Sequence, residues 1–119
     1  MAAMSGQDLL PELEHLVLLA VARLGDEGYG MSIRREIAER AGHDVAIGAV
    51  YAALDRLERD GLVAARLGEP SAVRGGRAKR HFRLETSGVL ALRAARARLD
   101  AMTRGLELDV ELRGGRSRA

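Results

Sequence analysis

The chain has no cysteine, no tryptophan, two prolines and only three aromatic rings, Tyr29, Tyr51 and Phe82, among its 119 residues. Lack of cysteine excludes disulfides, thiolate nucleophiles and sulfur-based zinc sites, which fits a cytoplasmic protein. With so few rings, Leu, Val, Ile and Ala must fill the core. No apolar run approaches the roughly 20 residues that span a bilayer, and the opening MAAMSGQDLLPELE lacks the basic region of a secretory signal. The expectation is a protein that stays where it is made, without a membrane partner. His15, His43 and His81 fall on separate segments with no HxxxH or HExxH spacing, and no Walker-type phosphate loop occurs. The composition therefore points away from an enzyme and implies no metal or cofactor.

What is present is charge, unevenly placed. The first 62 residues carry six arginines against eleven acids, whereas residues 63–119 carry thirteen Arg or Lys against six acids. The centre of the basic half is RLGEPSAVRGGRAKRHFR at 66–83, where Arg66, Arg74, Arg77, Lys79, Arg80 and Arg83 face a single acid, Glu69. Such a run is commonly a solvated face, so its meaning depends on the elements around it.

Those elements follow from hydrophobic period. PELEHLVLLAVARL places Leu13, Leu16, Val17, Ala20, Val21 and Leu24 on one helical stripe, and GDEGYG then breaks it. MSIRREIAERAG reads as a second, short helix with Ile33, Ile37 and Ala41 inward, Ser32, Arg34 and Arg35 on its outer side, and Gly42 as C-cap. IGAVYAALDRLERDG forms a third, burying Val50, Ala53, Leu54 and Leu57 and turning Ile47, Gly48, Tyr51, Ala52 and Asp55 to another face. Small residues near its start would let something bulky approach. After Gly61 the period changes: LVAARLG and KRHFRL read as strands, joined by the long loop EPSAVRGGRA. The last helix opens at ETSG, where Thr86 or Ser87 can cap it, and carries Leu92, Ala95, Leu99, Met102 and Leu106 close to a heptad seam. The fold class is thus mainly α with a small β-hairpin, in the order of a winged helix-turn-helix. Its expected divisions are 9–85 for the winged domain and 86–113 for the C-terminal helix.

At YGMSI (29–33), GAVYAALDRLERDGL (48–62) and GGRAKRHFRLETSG (75–88) the chain resembles the PadR family of transcriptional regulators. That family's pattern has a YG pair before the second helix, a G-x-x-Y-x-x-L-x-R-L-E-x-x-G-L run in the third, a GGR wing and a closing R-L-T-x-x-G. The motifs and their connections span about 60 residues. Ala49, Val50 and Ala52 depart from the commoner Thr-Leu and Pro, and Glu85 interrupts the closing motif. The resemblance implies a homodimer joined through the C-terminal helix, of the short subclass with only one such helix. It also implies binding to a pseudo-palindromic double-stranded DNA operator, usually in repression, with room for an unnamed small-molecule effector.

On that reading the major groove would receive Ile47, Gly48, Tyr51, Ala52 and Asp55. Tyr51 could give its hydroxyl to phosphate, or its ring could seal the core. Asp55 could accept from a cytosine amino group, or orient a neighbouring arginine. Arg74, Arg77, Lys79 and Arg80 of the wing are candidates for phosphates and the minor groove, with Gly75 and Gly76 freeing the turn. Ser32 and Arg34 would hold the backbone where the second helix begins. Arg56 and Arg59 are expected to work with Glu58, and Tyr29 to pack structurally before Gly30. The rival reading is a winged-helix module that docks on an acidic protein, because fold alone does not fix function.

Overall fold

The computed structural model describes residues 9–68 and 79–108. Helix α1 (Glu12–Leu24) is followed by a 3-10 turn at Gly25–Glu27, helix α2 (Gly30–Ala41) and helix α3 (Ile47–Arg59). Strands β1 (Val63–Leu67) and β2 (Arg80–Leu84) form an antiparallel pair, and helix α4 (Thr86–Thr103) closes the described chain. This is the expected helical domain with one hairpin.

The third helix buries the set read from its period: Val50, Ala53, Leu54 and Leu57 are each nearly inaccessible. They meet Val17, Leu18 and Val21 of α1, Ile33 and Ile37 of α2, and Leu62, Val63 and Phe82 from the hairpin and its approach. Phe82 is the one aromatic in this core, and burying a side chain of that size contributes roughly 1.5–3 kcal/mol. On α1 the buried set is centred slightly differently from the expected stripe. Leu18 is fully enclosed, while Leu13, Leu16 and Leu24 are half-buried and pack against the core from its edge.

Gly42 ends α2 in the left-handed region (φ 68°), and its N–H donates to the Ala38 carbonyl, which makes it the expected C-cap. Ala41, expected inward, is exposed at that fraying last turn. The hairpin pairs Val63 with Leu84 through to Leu67 with Arg80. On its other edge β2 is tied to the segment before α2: the Phe82 N–H donates to the Gly28 carbonyl at 2.8 Å, and Tyr29 bridges to His81. The hairpin is therefore fastened directly to the start of the second helix.

The C-terminal helix differs from its expected pattern at both ends. Glu85 occupies the N-cap position without a side-chain cap bond, and Ser87 instead donates its hydroxyl to the Gly61 carbonyl at 2.6 Å. The helix ends at Thr103, so Leu106 lies beyond it, and residues 109–113 of the expected segment fall outside the described residues. The supposed seam divides. Ala91 and Ala95 are buried, Leu92 packs on the core from a half-buried position, and Leu99 and Met102 stand exposed. Small side chains one turn apart let α4 approach α1 within the same chain, which takes Ala95 out of the outward face.

Candidate nucleic-acid interface

The exposed side of α3 is the face expected to read DNA. Gly48, Tyr51 and Asp55 are exposed and Ala52 is half-buried, whereas Ile47 also packs against the core. A Cβ at Gly48 would meet nothing within 4 Å, so the start of this face is open.

Tyr51 reaches across to the start of α2. A Cβ on Gly30 would lie 2.4 Å from both Cζ and Oη of Tyr51, so the ring end lies directly over the first residue of α2. Yet the residue keeps 42% of its surface accessible. The ring braces α3 against α2, and the phenol oxygen sits beside the first turn of α2, where backbone N–H groups lack intrahelical acceptors. In the sequence Gly30 stands out only as part of the YG pair, which carries no sign that a ring from another helix approaches it.

Ser32 is corrected. It is buried, accepts the Tyr29 N–H at 2.9 Å and lies 2.7 Å from the Glu27 carbonyl, to which it donates. Its hydroxyl closes the N-terminus of α2 from inside and is not offered to solvent. Arg34 is half-exposed but engaged with the α2–α3 connection, donating Nε to the Val45 carbonyl at 2.6 Å and pairing with Asp44 at 2.9 Å. It holds the turn that sets the angle between the two helices.

At the hairpin, alternate residues of one strand grip two different elements, as the two-residue period of a strand requires. Lys79 and His81 point to one face: the Lys79 ammonium lies 5.0 Å from the Tyr29 ring centroid, and His81 meets the same ring edge-on at 5.5 Å. Arg80 and Phe82 point to the other, with the Arg80 guanidinium 5.1 Å from the Phe82 centroid. Arg80 donates to Glu58 at 2.6 Å and stands 3.8 Å from Asp55. Glu58 thus pairs with the hairpin rather than with Arg56 or Arg59. Arg56 instead donates to Glu14, a buried carboxylate on α1. Tyr29 has the structural place expected of it. Arg74 and Arg77, with Gly75 and Gly76, lie outside the described residues.

Away from this surface, a groove of about 620 Å³ runs between α1 and α4, floored by Leu10, Leu16, Leu19 and Ala95 and edged by Leu99 and Met102. His15 lies in it, and partial burial together with the nearby Arg98 charge lowers its pKa against a smaller opposing pull from Glu12. Among the described residues no group of His, Asp or Glu is placed to hold a metal, and no helix is long and apolar enough to cross a membrane.

Residues 18–94 match the model of the transcriptional regulator PadR-like family, which is well over half of the chain. The chain belongs to the PadR-like family. It is accordingly a transcriptional regulator and not an enzyme. Solved PadR structures share its fold. A PadR family regulator from Clostridium difficile is 19% identical, with a TM-score of 0.67 over 87% of this chain and 97% of that one. A PadR family regulator from Eggerthella lenta is 25% identical, with a TM-score of 0.63 over 84% and 87%. PadR of Bacillus subtilis, solved in complex with operator DNA, is 18% identical, with a TM-score of 0.61 over 90% of this chain and 61% of that one. No curated protein matches the chain.

Proposed function

We propose that this PadR-like regulator is a cytoplasmic repressor that binds a pseudo-palindromic DNA operator as a homodimer. Residues 9–85 form the DNA-binding unit and 86–113 the dimerisation segment. The observation that carries the proposal is that the Tyr51 ring end lies over Gly30 and the Lys79 ammonium lies 5.0 Å from the Tyr29 ring centroid, at the residues that open α2, beside an exposed and small-featured face of α3. A phosphate placed there meets a phenol hydroxyl, an ammonium and the positive end of a helix, while α3, about 10–12 Å across, enters the major groove.

Within this reading Gly48, Ala52 and Tyr51 border the bases and sugars, and Lys79, Arg77 and Arg74 neutralise phosphate along the wing. Leu99 and Met102, exposed on the edge of the α1–α4 groove, are the apolar surface that a second copy covers. Two winged units related by a twofold axis contact half-sites about one helical turn apart or a multiple of it. Selection of genomic fragments on the purified protein, followed by footprinting and sedimentation, tests this. A twofold-symmetric protected site bound by two chains is the expected result. An unenriched selection, or a single chain on an asymmetric site, refutes it.

A further inference from the structure

We propose that Arg80, although it belongs to the basic wing, is a positioning residue that latches the wing to the reading helix and does not neutralise phosphate. The inference rests on the DNA-binding reading above and adds to it a division of labour among the wing cations. Arg80 opens β2 opposite Leu67, so it stands at the last pair of the ladder before the connecting loop, where holding the strand fixes the direction in which that loop leaves. Its guanidinium meets three groups. Nη2 donates to Glu58 Oε1 at 2.6 Å, Nη1 is 3.8 Å from Asp55 Oδ1, and the plane lies against Phe82, which is anchored in the core. Two carboxylates one helical turn apart on α3 thus converge on one cation, and an aromatic ring from the same strand supports it.

This arrangement suits a latch and disfavours a phosphate contact. A guanidinium between two carboxylates adds no net positive charge to its surroundings. Drawing it toward DNA would leave Glu58 and Asp55 uncompensated beside the phosphates. Arg80 also explains Asp55. Its carboxylate stands on the reading face and would repel the DNA backbone, but a role in orienting Arg80 requires an acid at that place. Lys79, the preceding residue, points to the opposite face of the strand, with its ammonium 5.0 Å from the Tyr29 ring centroid, so the two neighbouring cations act differently.

The two roles predict opposite signs for one substitution. If Arg80 latches the wing, Glu58→Gln releases the wing and weakens operator binding. If Arg80 contacts phosphate, Glu58→Gln frees it for that contact and tightens binding. The experiment is fluorescence anisotropy of the full chain on the selected operator and on a scrambled duplex over a salt series, with Arg80→Ala, Glu58→Gln and the double variant. The expected result is a loss of about fivefold in operator affinity for each single variant, the upper end for an exposed ion pair, with no further loss in the double variant. The slope of log affinity against log salt stays at the wild-type value, because no phosphate contact is removed. Tighter binding by Glu58→Gln, or a shallower slope by about one for Arg80→Ala, would overturn the latch.

Amide exchange on the free protein supplies a readout independent of DNA. Both single variants should speed exchange at the Gly68 amide, which donates to the Lys79 carbonyl at 2.8 Å at the loop end of the hairpin. Unchanged exchange there would overturn the latch even if DNA binding held. A wild-type protein that binds no duplex selectively would overturn the DNA reading, with the exchange result still deciding whether the wing is latched.

Discussion

Replacing Gly30 with alanine places a methyl carbon 2.4 Å from Cζ and Oη of Tyr51 and 2.7 Å from Cε1. Ordinary carbon contacts lie at about 3.5–4.0 Å, so the ring must withdraw by roughly 1 Å or more. Backbone strain plays no part: Gly30 is not among the positive-φ glycines, and as the first residue of α2 it has a conformation that alanine accepts readily. The whole penalty is therefore the collision, about 1–3 kcal/mol for overpacking of this kind. With Tyr51 truncated to alanine, the same Gly30→Ala change should become neutral or stabilising by about 0.4–1 kcal/mol, since the unfolded chain loses freedom and nothing is hit. Urea unfolding of the wild type, the two single variants and the double variant gives the coupling directly. Anisotropy on the operator should show that Gly30→Ala also impairs DNA binding, because the phenol oxygen leaves the start of α2. Additive free energies in the cycle would refute the bracing role of Tyr51, and full operator affinity in Gly30→Ala would refute its part in DNA binding.

The buried Glu14 carboxylate predicts an asymmetric pair: Arg56→Ala strands a charge in the core boundary and should cost about 3 kcal/mol, whereas Glu14→Leu lets Arg56 turn to solvent and should be nearly neutral. Equal losses in urea unfolding would contradict this. His15 has a folded pKa below its unfolded value of 6.5, through burial first and Arg98 second, so its contribution to stability is present above that value and falls away as pH drops through the lowered folded pKa. Thermal unfolding followed downward from pH 7.5 should show that loss, and His15→Gln should reduce it by removing the titrating group. Leu99→Asp should leave the monomer fold intact, because Leu99 is 59% exposed, yet release monomers in sedimentation and weaken operator binding together. A dimeric Leu99→Asp protein would place the interface elsewhere.

Much of this was legible because it depends on local chemistry. The third helix has a clean apolar period, and Gly42 and Gly61 punctuate the chain where the helix and turn chemistry demand it. The buried set of α3 was therefore readable residue by residue. What could not be read was the partner of each polar group, since partners come from distant parts of the chain. Glu58 chooses Arg80 across 22 positions rather than an arginine on its own helix. Glu14 and Arg56 meet across 42. Ser32 looked like a surface hydroxyl because it stands among arginines, but three residues after Tyr29 it is placed to close the first turn from within. In α4 the leucines drew attention to a seam, while the alanines decided which side approaches α1. A period of three and four identifies an apolar stripe without saying whether its cover comes from the same chain or from another.

The central claim is that the convergence at the start of α2, the exposed face of α3 and the wing together read a DNA sequence. The most direct measurement is anisotropy of the wild type, Tyr51→Ala and Arg77→Ala on the selected operator and a scrambled duplex of equal length, across salt. The account predicts selective binding that weakens with salt, a slope shallower by about one for Arg77→Ala, and reduced affinity or selectivity for Tyr51→Ala. Equal, weak binding to both duplexes, unaffected by either substitution, would contradict it.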